Sequence, residues 1–293
     1  MDRVAPERTF TSPPWYLTRL LATITFMTEG LYRQDPLTPE EREEFEDDLV
    51  SFSDRGLDGL GDVSGLEVLY AGGSSLLWVE GLSQRVGEHG SVTALDADEE
   101  RVEATRENLA DADLPAPVRL VAGDVFRPPF GPGSFDLVYS AGLFHELDVS
   151  ERTAEEALLA LASVVRPGGR VATEDFVDTV PAAQLEDEKL DADLALASSG
   201  ESLIGIGAPG RIVALHEGVL SDVWWRVSRP FRIRHLDKVV LAEPEPADLP
   251  GLPPEVAQGW RRRREALRER VGREGYTRPA TVYVEGTVAG GRR

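Results

Sequence analysis

Apolar and polar positions between residues 66 and 98 follow a pattern that predicts a β-α-β unit. Leu66–Ala71 is a short apolar run, typical of a buried parallel strand, and Ser91–Leu95 is a second run that leads into Asp96. The first turn of such a unit directs backbone N–H groups and a helix N-terminus at whatever lies beyond the strand ends. Between the two runs, after a turn of small residues, apolar residues recur at helical spacing, at Leu76, Leu77, Val79, Leu82 and Val86.

The same alternation continues along the chain and predicts a parallel sheet. Strand-like runs and helical patterns follow each other as far as residue 174, which favours a sheet covered by helices on both faces. Pro167–Gly169 is expected to end the last helix of this series. The further strands are predicted at Val118–Ala122, Phe135–Ser140 and Arg170–Glu174, and the further helices at Glu99–Ala110 and Thr153–Val165.

Two helices are predicted before the first strand. Trp15–Tyr32 has apolar residues at helical spacing, and an acidic helix follows over Thr38–Val50, with Thr38 as the N-cap ahead of Pro39. Because both precede the first strand, they could fold over its carboxyl end as a lid. A further helical layer packed on the sheet is the alternative.

The charge and composition exclude several classes of protein. The 293 residues carry a net charge of -21, and only Lys189 and Lys238 are lysines. Such a surface argues against binding to nucleic acid, which requires positive charge to neutralise phosphates, and it fits a salt-adapted organism whose cytosol screens charge repulsion. Without cysteine, the chain has no disulfide and no cysteine zinc site.

The location and the assembly are expected to be simple. Residues 1–14 lack the pattern of a signal peptide, and Leu17–Leu31 is too short and too often interrupted by charge to span a membrane. We therefore expect a cytoplasmic monomer or homodimer with no membrane partner. No metal site is expected, because His89, His216 and His235 are scattered without metal-ligand spacing.

Five segments in order resemble the class I S-adenosylmethionine-dependent methyltransferases. The resemblance covers roughly Leu66–Thr179 and extends more loosely to Gly290. It implies an α/β fold, a Rossmann-like doubly wound sheet of about seven strands, mostly parallel with an antiparallel last strand, plus N-terminal helices. Val223–Ile233 and Ala280–Val288 would form the antiparallel hairpin that closes the sheet, after a helix at Pro209–Leu220. The segments are VLYAGGSS, VTALDAD, VAGDVFRPPF, FDLVYSAGLFHEL and VVRPGGRVATEDF.

The resemblance implies that the chain binds S-adenosylmethionine and methylates a small-molecule acceptor. The glycine turn would approach the methionine part of the donor, Asp96 would bind the ribose, and Asp124 with the Val125 N–H would bind the adenine. His145, after strand four, could be a general base or a packing residue. The implied donor-binding residues are Gly72, Gly73, Ser74, Asp96, Ala97, Asp124, Val125, Ser140 and Ala141.

Two departures from the family pattern leave alternatives open. Tyr70 stands where the family has an acidic residue, and Ser74 and Leu76 stand where it has glycines. A non-catalytic protein of the same fold is therefore one alternative. A nicotinamide-dependent reductase is another, because Asp96 would serve either ribose, although Ser74 and Leu77 break the G-x-G-x-x-G pattern.

The resemblance also suggests a division of the chain. Residues 1–60 would form a helical lid, 61–241 the methyltransferase core, 242–276 a helical insertion, and 277–293 the closing strand and tail. Within the insertion, Glu255–Arg273 is predicted to be a helix whose arginines pair with its own glutamates in solvent. An anion-binding patch at Arg261–Arg264 is the alternative reading of that helix.

Overall fold

The computed structural model describes residues 36–110, 112–147, 154–200, 205–242 and 252–290. The predicted helix Trp15–Tyr32, and with it most of the proposed lid, lies outside these residues. The described chain contains seven strands and eight α-helices. The strands are β1 (Glu67–Ala71), β2 (Ser91–Asp96), β3 (Val118–Ala122), β4 (Phe135–Ala141), β5 (Val165–Val177), β6 (Ser221–Val227) and β7 (Ala280–Thr287).

Helices alternate with the strands from β1 to β3 and again between β4 and β5, whereas no helix separates β3 from β4. Two single-turn 3₁₀ helices, Asp58–Leu60 and Phe144–Glu146, complete the elements described below. The α-helices are α1 (Pro39–Leu57), α2 (Leu76–Val86), α3 (Glu99–Leu109), α4 (Ala154–Ser163), α5 (Ala183–Ser199), α6 (Pro209–Val219), α7 (Leu236–Ala242) and α8 (Pro254–Glu274).

The seven strands form one mixed sheet in the order β3-β2-β1-β4-β5-β7-β6. Neighbouring strands from β3 to β5 are parallel, and β7 runs antiparallel to both β5 and β6. This confirms the predicted doubly wound sheet with an antiparallel last strand. The strand order reverses between β1 and β4, and ligands of such sheets bind outside the carboxyl ends of the strands at this point.

Each face of the sheet has its own hydrophobic core. Because side chains alternate along a strand, Leu69 of β1 packs on the face covered by α4 and α6, whereas Val68 and Tyr70 pack on the face covered by α1 and α2. A third cluster joins α1 to α5, α7 and α8. Burial on both faces explains why the parallel strands are apolar throughout.

Local sequence accounts for the first described helix. Thr38 and Glu41 form a capping box, in which the Thr38 hydroxyl accepts from the Glu41 N–H and the Glu41 carboxylate accepts from the Thr38 N–H. The predicted N-cap is therefore confirmed. The helix continues to Leu57, beyond the predicted end at Val50, because Phe52 and Leu57 are buried against the sheet.

The prediction that Pro167–Gly169 ends a helix was wrong. Helix α4 ends at Ser163, and β5 already pairs with β4 at Val165. The residues that follow form an irregularity within β5, where Gly168 has φ +84° and its N–H donates to the Val288 carbonyl at 2.9 Å. Proline and glycine here interrupt the pairing without ending the strand.

Strand β6 is also shorter than the predicted Val223–Ile233. It ends at Val227, because Pro230 has no N–H to donate and Arg55 bonds to Ser228 Oγ and the Arg229 carbonyl. The chain then turns inward, and Ile233 becomes 2% exposed in the third cluster.

Helix α8 differs from its predicted exposed form. Its arginines pair across to α5 rather than only with glutamates of the same helix: Arg263 contacts Asp193, and Arg270 contacts Glu186. Arg264 is 1% exposed and contacts Asp187, which also accepts from Tyr276 Oη at 2.9 Å. The buried arginine makes α8 part of a packed helical layer.

Candidate functional site

The glycine turn after β1 is held at the strand-order reversal by close backbone contacts. The N–H groups of Gly72 and Gly73 both donate to the Leu95 carbonyl, at 2.8 and 3.0 Å. Gly72 has φ +81°, and a Cβ there would lie 2.5 Å from the Leu143 side chain. A Cβ at Gly73 would lie 2.8 Å from Tyr70 Oη. Both positions therefore require glycine.

Asp96 ends β2 beside this turn, and its carboxylate already has partners. It is 5% exposed, and its Oδ2 accepts from Ser74 Oγ at 2.9 Å and lies 3.5 Å from Arg101 Nη1. Its Oδ1 accepts from the Asp98 N–H at 3.0 Å. Since each carboxylate oxygen can accept about two hydrogen bonds, Oδ1 keeps capacity for a ribose hydroxyl, whereas Oδ2 is engaged.

Asp124 lies close to Asp96 because the two residues follow neighbouring strands. Asp96 pairs in register with Ala122, and its carbonyl accepts from the Gly123 N–H at 2.8 Å. Asp124 Oδ1 accepts from the Phe126 N–H at 2.9 Å, which folds the residue into a tight turn. Val125 is 8% exposed, whereas Ala97 is exposed beside them. The structure thus gathers the predicted ribose and adenine residues at one edge.

The side chain of Ser140 does not reach this edge. It is 1% exposed and bonds to Thr173 Oγ1 at 3.0 Å, and Thr173 in turn contacts His216 Nε2 at 2.9 Å. Burial lowers the pKa of His216 to about 4, so this histidine is neutral and belongs to a buried network under α6. Ala141, the next residue, does line the pocket described next.

A pocket lies at the carboxyl ends of β4 and β5, beside the glycine turn. Its cavity volume is about 30 Å³, within about 480 Å³ of atom-free space that includes open solvent at its mouth. Aromatic side chains from α1 and α2 cover it, and charged side chains lie at its base, so it combines apolar walls with polar groups, as small-molecule sites do. Its lining residues are Phe52, Trp78, Ala141, Gly142, His145, Glu146, Glu174, Asp175, Phe176, Arg278 and Thr281.

His145 lines this pocket and is paired with a carboxylate that the sequence did not single out. Its Nδ1 lies 2.6 Å from Asp175 Oδ1, and Asp175 also accepts from three backbone N–H groups, those of residues 144, 145 and 176. Burial lowers the pKa of His145, but the negative charge and hydrogen bond of Asp175 outweigh it and raise the pKa to about 10. The imidazole therefore carries a proton at neutral pH.

Two further carboxylates face the pocket and were missed from the sequence. Burial raises the pKa of Glu146 to about 7, although the neighbouring His145 charge opposes the rise. Burial also raises the pKa of Glu174, whose Oε1 accepts from Thr281 Oγ1 at 2.7 Å. Glu146 adjoins the predicted His145, and Glu174 lies in the last resembling segment, so a search for acids at strand ends could have found both.

Two buried hydroxyls at the glycine turn lack a hydrogen-bond partner within the described residues. They are Tyr70 Oη and Ser75 Oγ, and both residues are almost fully buried. Buried polar groups are rarely left unpaired in a native protein, so such atoms at a strand-order reversal point to a polar ligand. Leu76, which stands where the family has a glycine, is half-buried at the start of α2 and is not among the residues that line the pocket described above.

The described residues contain neither a metal-binding cluster nor a membrane-spanning helix. No group of three or more histidine, aspartate or glutamate side chains there is arranged to hold a metal ion. None of the helices in that part of the chain is long and apolar enough to cross a membrane.

Part of the chain is similar to known methyltransferases. A model of the methyltransferase domain matches residues 68–169. The demethylmenaquinone methyltransferase of Desulfitobacterium hafniense (strain Y51) is 33% identical over 95 residues, which are 32% of this chain and 36% of that protein. The arsenite methyltransferase of Halobacterium salinarum is 30% identical over 124 residues, 41% of this chain and 30% of that protein. The chain thus matches about a third of the length of these curated relatives.

The fold has a wider range of relatives. The [4+2]-cyclase SpnF superposes with a TM-score of 0.57 at 13% identity, over 94% of this chain and 95% of that chain. This likeness concerns the fold alone, and that protein is named for a reaction other than methylation, so function must be argued from the site. Residues 68–169 are thus similar to a methyltransferase domain, and the sheet order and the glycine turn agree with that similarity.

Proposed function

We propose that this protein transfers a methyl group from S-adenosylmethionine to a small-molecule acceptor. One observation carries the proposal: the glycine turn, Asp96 and Asp124 meet at the carboxyl ends of three neighbouring strands, and a pocket with titratable groups lies beside them. A donor nucleoside and an acceptor require two such adjoining sites. Positioning the two reactants supplies much of the rate of a displacement reaction.

The residues of the turn suit the donor. Bound there, S-adenosylmethionine supplies an electrophilic methyl group on a positively charged sulfur. Gly72 and Gly73 allow close backbone approach, Asp96 can accept from the ribose hydroxyls, and Asp124 with the Val125 N–H can bind the adenine edge. The unpartnered hydroxyl of Tyr70 can donate to a carboxylate or accept from an ammonium, both of which the methionine part carries.

The residues of the pocket suit the acceptor. Phe52, Trp78 and Phe176 exclude water from the place where the acceptor nucleophile would lie. If the nucleophile must lose a proton, Glu146 can accept it, because the pKa of about 7 leaves much of this carboxyl ionised near neutral pH. His145, which we predicted as the base, holds its own proton until the pH approaches 10 and so acts at neutral pH as a positive charge beside Asp175.

The small-molecule class is supported by charge and by relatives. A chain with net charge -21 repels nucleic acid phosphates. Among the relatives, one is named for demethylmenaquinone and one for arsenite, both small molecules. The buried arginine and acids of this pocket bear on which acceptor it binds.

Calorimetric titration tests the donor half of the proposal. S-adenosylmethionine and its demethylated product should each bind at micromolar strength, about -8 kcal/mol, whereas NADH should not bind. Each donor ligand at ~100 times its Kd should stabilise the protein by ~2.7 kcal/mol and raise the melting temperature. Binding of NADH alone would favour the reductase alternative. The absence of binding by all three ligands would favour a non-catalytic role.

A further inference from the structure

Arg278 lies in the same pocket and has the surroundings of a ligand-binding residue. It precedes β7, is 4% exposed, and lines the pocket together with His145 and Glu146. Its guanidinium carbon lies 4.4 Å from the ring centre of Phe52 and 4.8 Å from that of Phe176. The aromatic side chains therefore hold the planar cation in place without taking up its hydrogen-bond donors.

Arg278 has no hydrogen bond and no ion pair to any residue that the structure describes. Its Nε is fully buried and unpartnered. A guanidinium has five N–H donors and no acceptor, so it gains nothing from neighbouring donors. Removing such a cation from water without an anionic partner is strongly unfavourable, and native proteins rarely tolerate it.

Two of the three carboxylates that line the pocket, Asp175 and Glu174, are committed to other partners. Asp175 accepts four hydrogen bonds from His145 and backbone N–H groups. Glu174 accepts from Thr281 and contacts Tyr139 Oη at 3.5 Å. Burial lowers the pKa of Arg278 to about 10, although the charges of Glu188 and Glu174 oppose the fall, so the guanidinium stays protonated at neutral pH. Among the residues that the structure describes, a protonated guanidinium without a hydrogen-bond partner thus lines the pocket.

We propose that Arg278 binds a carboxylate of the methyl acceptor, which is therefore a small organic acid with an apolar or aromatic part that packs on Phe52 and Phe176. The planar fork of arginine matches the two oxygens of a carboxylate. A dianionic phosphate fits less well, because Glu174 and Glu146 line the same space. The identity of the acceptor class rests on the proposed function, whereas binding of a carboxylate at Arg278 does not.

Matched pairs of acids and amides test the proposal directly. Acetate and acetamide, benzoate and benzamide, and indole-3-acetate and indole-3-acetamide have nearly the same shape and differ in charge. We expect saturation-transfer NMR to show at least one of the three acids binding at least tenfold more tightly than its amide, with and without the demethylated donor. Equal binding within every pair, or binding of no acid, would overturn the proposal.

Variants assign the effect to this residue. Arg278→Met should abolish the preference for the acid, and Arg278→Lys should keep part of it, because lysine retains the charge but not the fork. Arg273→Met, on the exposed side of α8, is the matched control and should bind as the wild type does. Retention of the acid preference in Arg278→Met would refute the assignment.

Two further measurements keep the result interpretable. Arg278→Met should leave the melting temperature of the free protein unchanged or raise it, because the variant removes an unpaired buried charge; a marked fall would indicate a structural role instead. If that variant does not fold, the wild-type pairs and Arg278→Lys still decide the question. Failure of the demethylated donor to bind would refute the proposed function, and acid binding in its absence would leave the Arg278 site standing.

Discussion

The hydroxyl of Ser74 donates to Oδ2 of Asp96 across 2.9 Å, joining the glycine turn to the end of the neighbouring strand. Both residues were expected to contact the donor, and the structure shows that they first contact each other. Thr105 extends the link, since its Oγ1 donates to the Ser74 carbonyl at 2.8 Å. The carboxylate proposed to bind the ribose is thus held in place in the free protein. Its Oδ2 is already engaged by Ser74, so Oδ1 has the greater capacity to accept from a ligand.

Asp96 should contribute strongly to donor binding. Asp96→Asn removes the charge while keeping the shape. We expect this variant to weaken the binding of S-adenosylmethionine by ~1.5–3 kcal/mol, the range for hydrogen bonds to a charged group. Isothermal titration measures the change. Asp113→Asn, an exposed acid before β3 at the opposite edge of the sheet, is the control and should bind normally. Unchanged affinity in a folded Asp96→Asn protein would remove Asp96 from the site.

Ser74 should lower the affinity for the donor by occupying Oδ2 of Asp96. Ser74→Ala frees Oδ2 of Asp96 from one hydrogen bond, and a ribose hydroxyl could take its place, so we expect binding tighter by ~0.5–1.5 kcal/mol. The same titration applies, with Ser64→Ala, an exposed serine before β1, as the control. Weaker binding in Ser74→Ala would mean that the serine orients the carboxylate instead of competing for it.

Local signals made most of the sheet predictable. Helix α2 matches its prediction because small residues precede it and Gly87, with φ +69°, terminates it. Strand β3 matches because its apolar run is bounded by turns. By contrast, α5 and α7 were not predicted, since α5 is strongly acidic and α7 has only seven residues, and both are stabilised by burial in the third cluster.

The candidate site was only half predictable. Gly72, Asp96 and Asp124 could be found because each follows a strand in a recognisable segment. Arg278 could not be found in this way, because it reaches the pocket from a position 133 residues after His145 and nothing near it in the sequence marks it as functional. Pairings such as that of His145 with Asp175 depend on β4 and β5 being neighbours, and they follow only from the sheet order.

The pairing of His145 with Asp175 should make stability depend on pH. Because the folded protein raises the pKa of His145 from 6.5 to about 10, the pair's contribution is fully present below about pH 6.5 and is lost as the pH rises through 10. Urea unfolding of the wild type and of His145→Gln should therefore show a stability difference that shrinks across this window. His89→Gln, at an exposed position, is the control, and a constant difference for His145→Gln would contradict the pairing.

The net charge of -21 should make stability rise with salt. Screening weakens the repulsion among excess carboxylates, and it also weakens ion pairs such as Arg234–Asp48. Exposed pairs contribute only ~0–1 kcal/mol each, so we expect the repulsion to dominate and the melting temperature to rise between ~0.1 and ~2 M NaCl. Sucrose at matched osmolarity separates screening from solvent exclusion. A melting temperature that falls or stays flat in NaCl would argue against adaptation to salt.

Tyr70 should affect the free and the liganded protein in opposite directions. Its hydroxyl is buried against Gly73 without a partner among the described residues, and burial raises its pKa, so it stays protonated at all ordinary pH values. Tyr70→Phe removes an unsatisfied polar group, and we expect the free protein to keep or gain up to ~1–3 kcal/mol of stability. If the hydroxyl binds the methionine part of the donor, the same variant should bind S-adenosylmethionine more weakly, by ~1.5–3 kcal/mol.

Thermal melts and titrations of one preparation give both values. Tyr139 stacks on Tyr70 with ring centres 6.0 Å apart, so Tyr139→Phe is the matched control and should not weaken donor binding. A Tyr70→Phe protein that loses stability but keeps its affinity for S-adenosylmethionine would show that the hydroxyl stabilises the fold. Another group would then have to bind the ammonium of the donor.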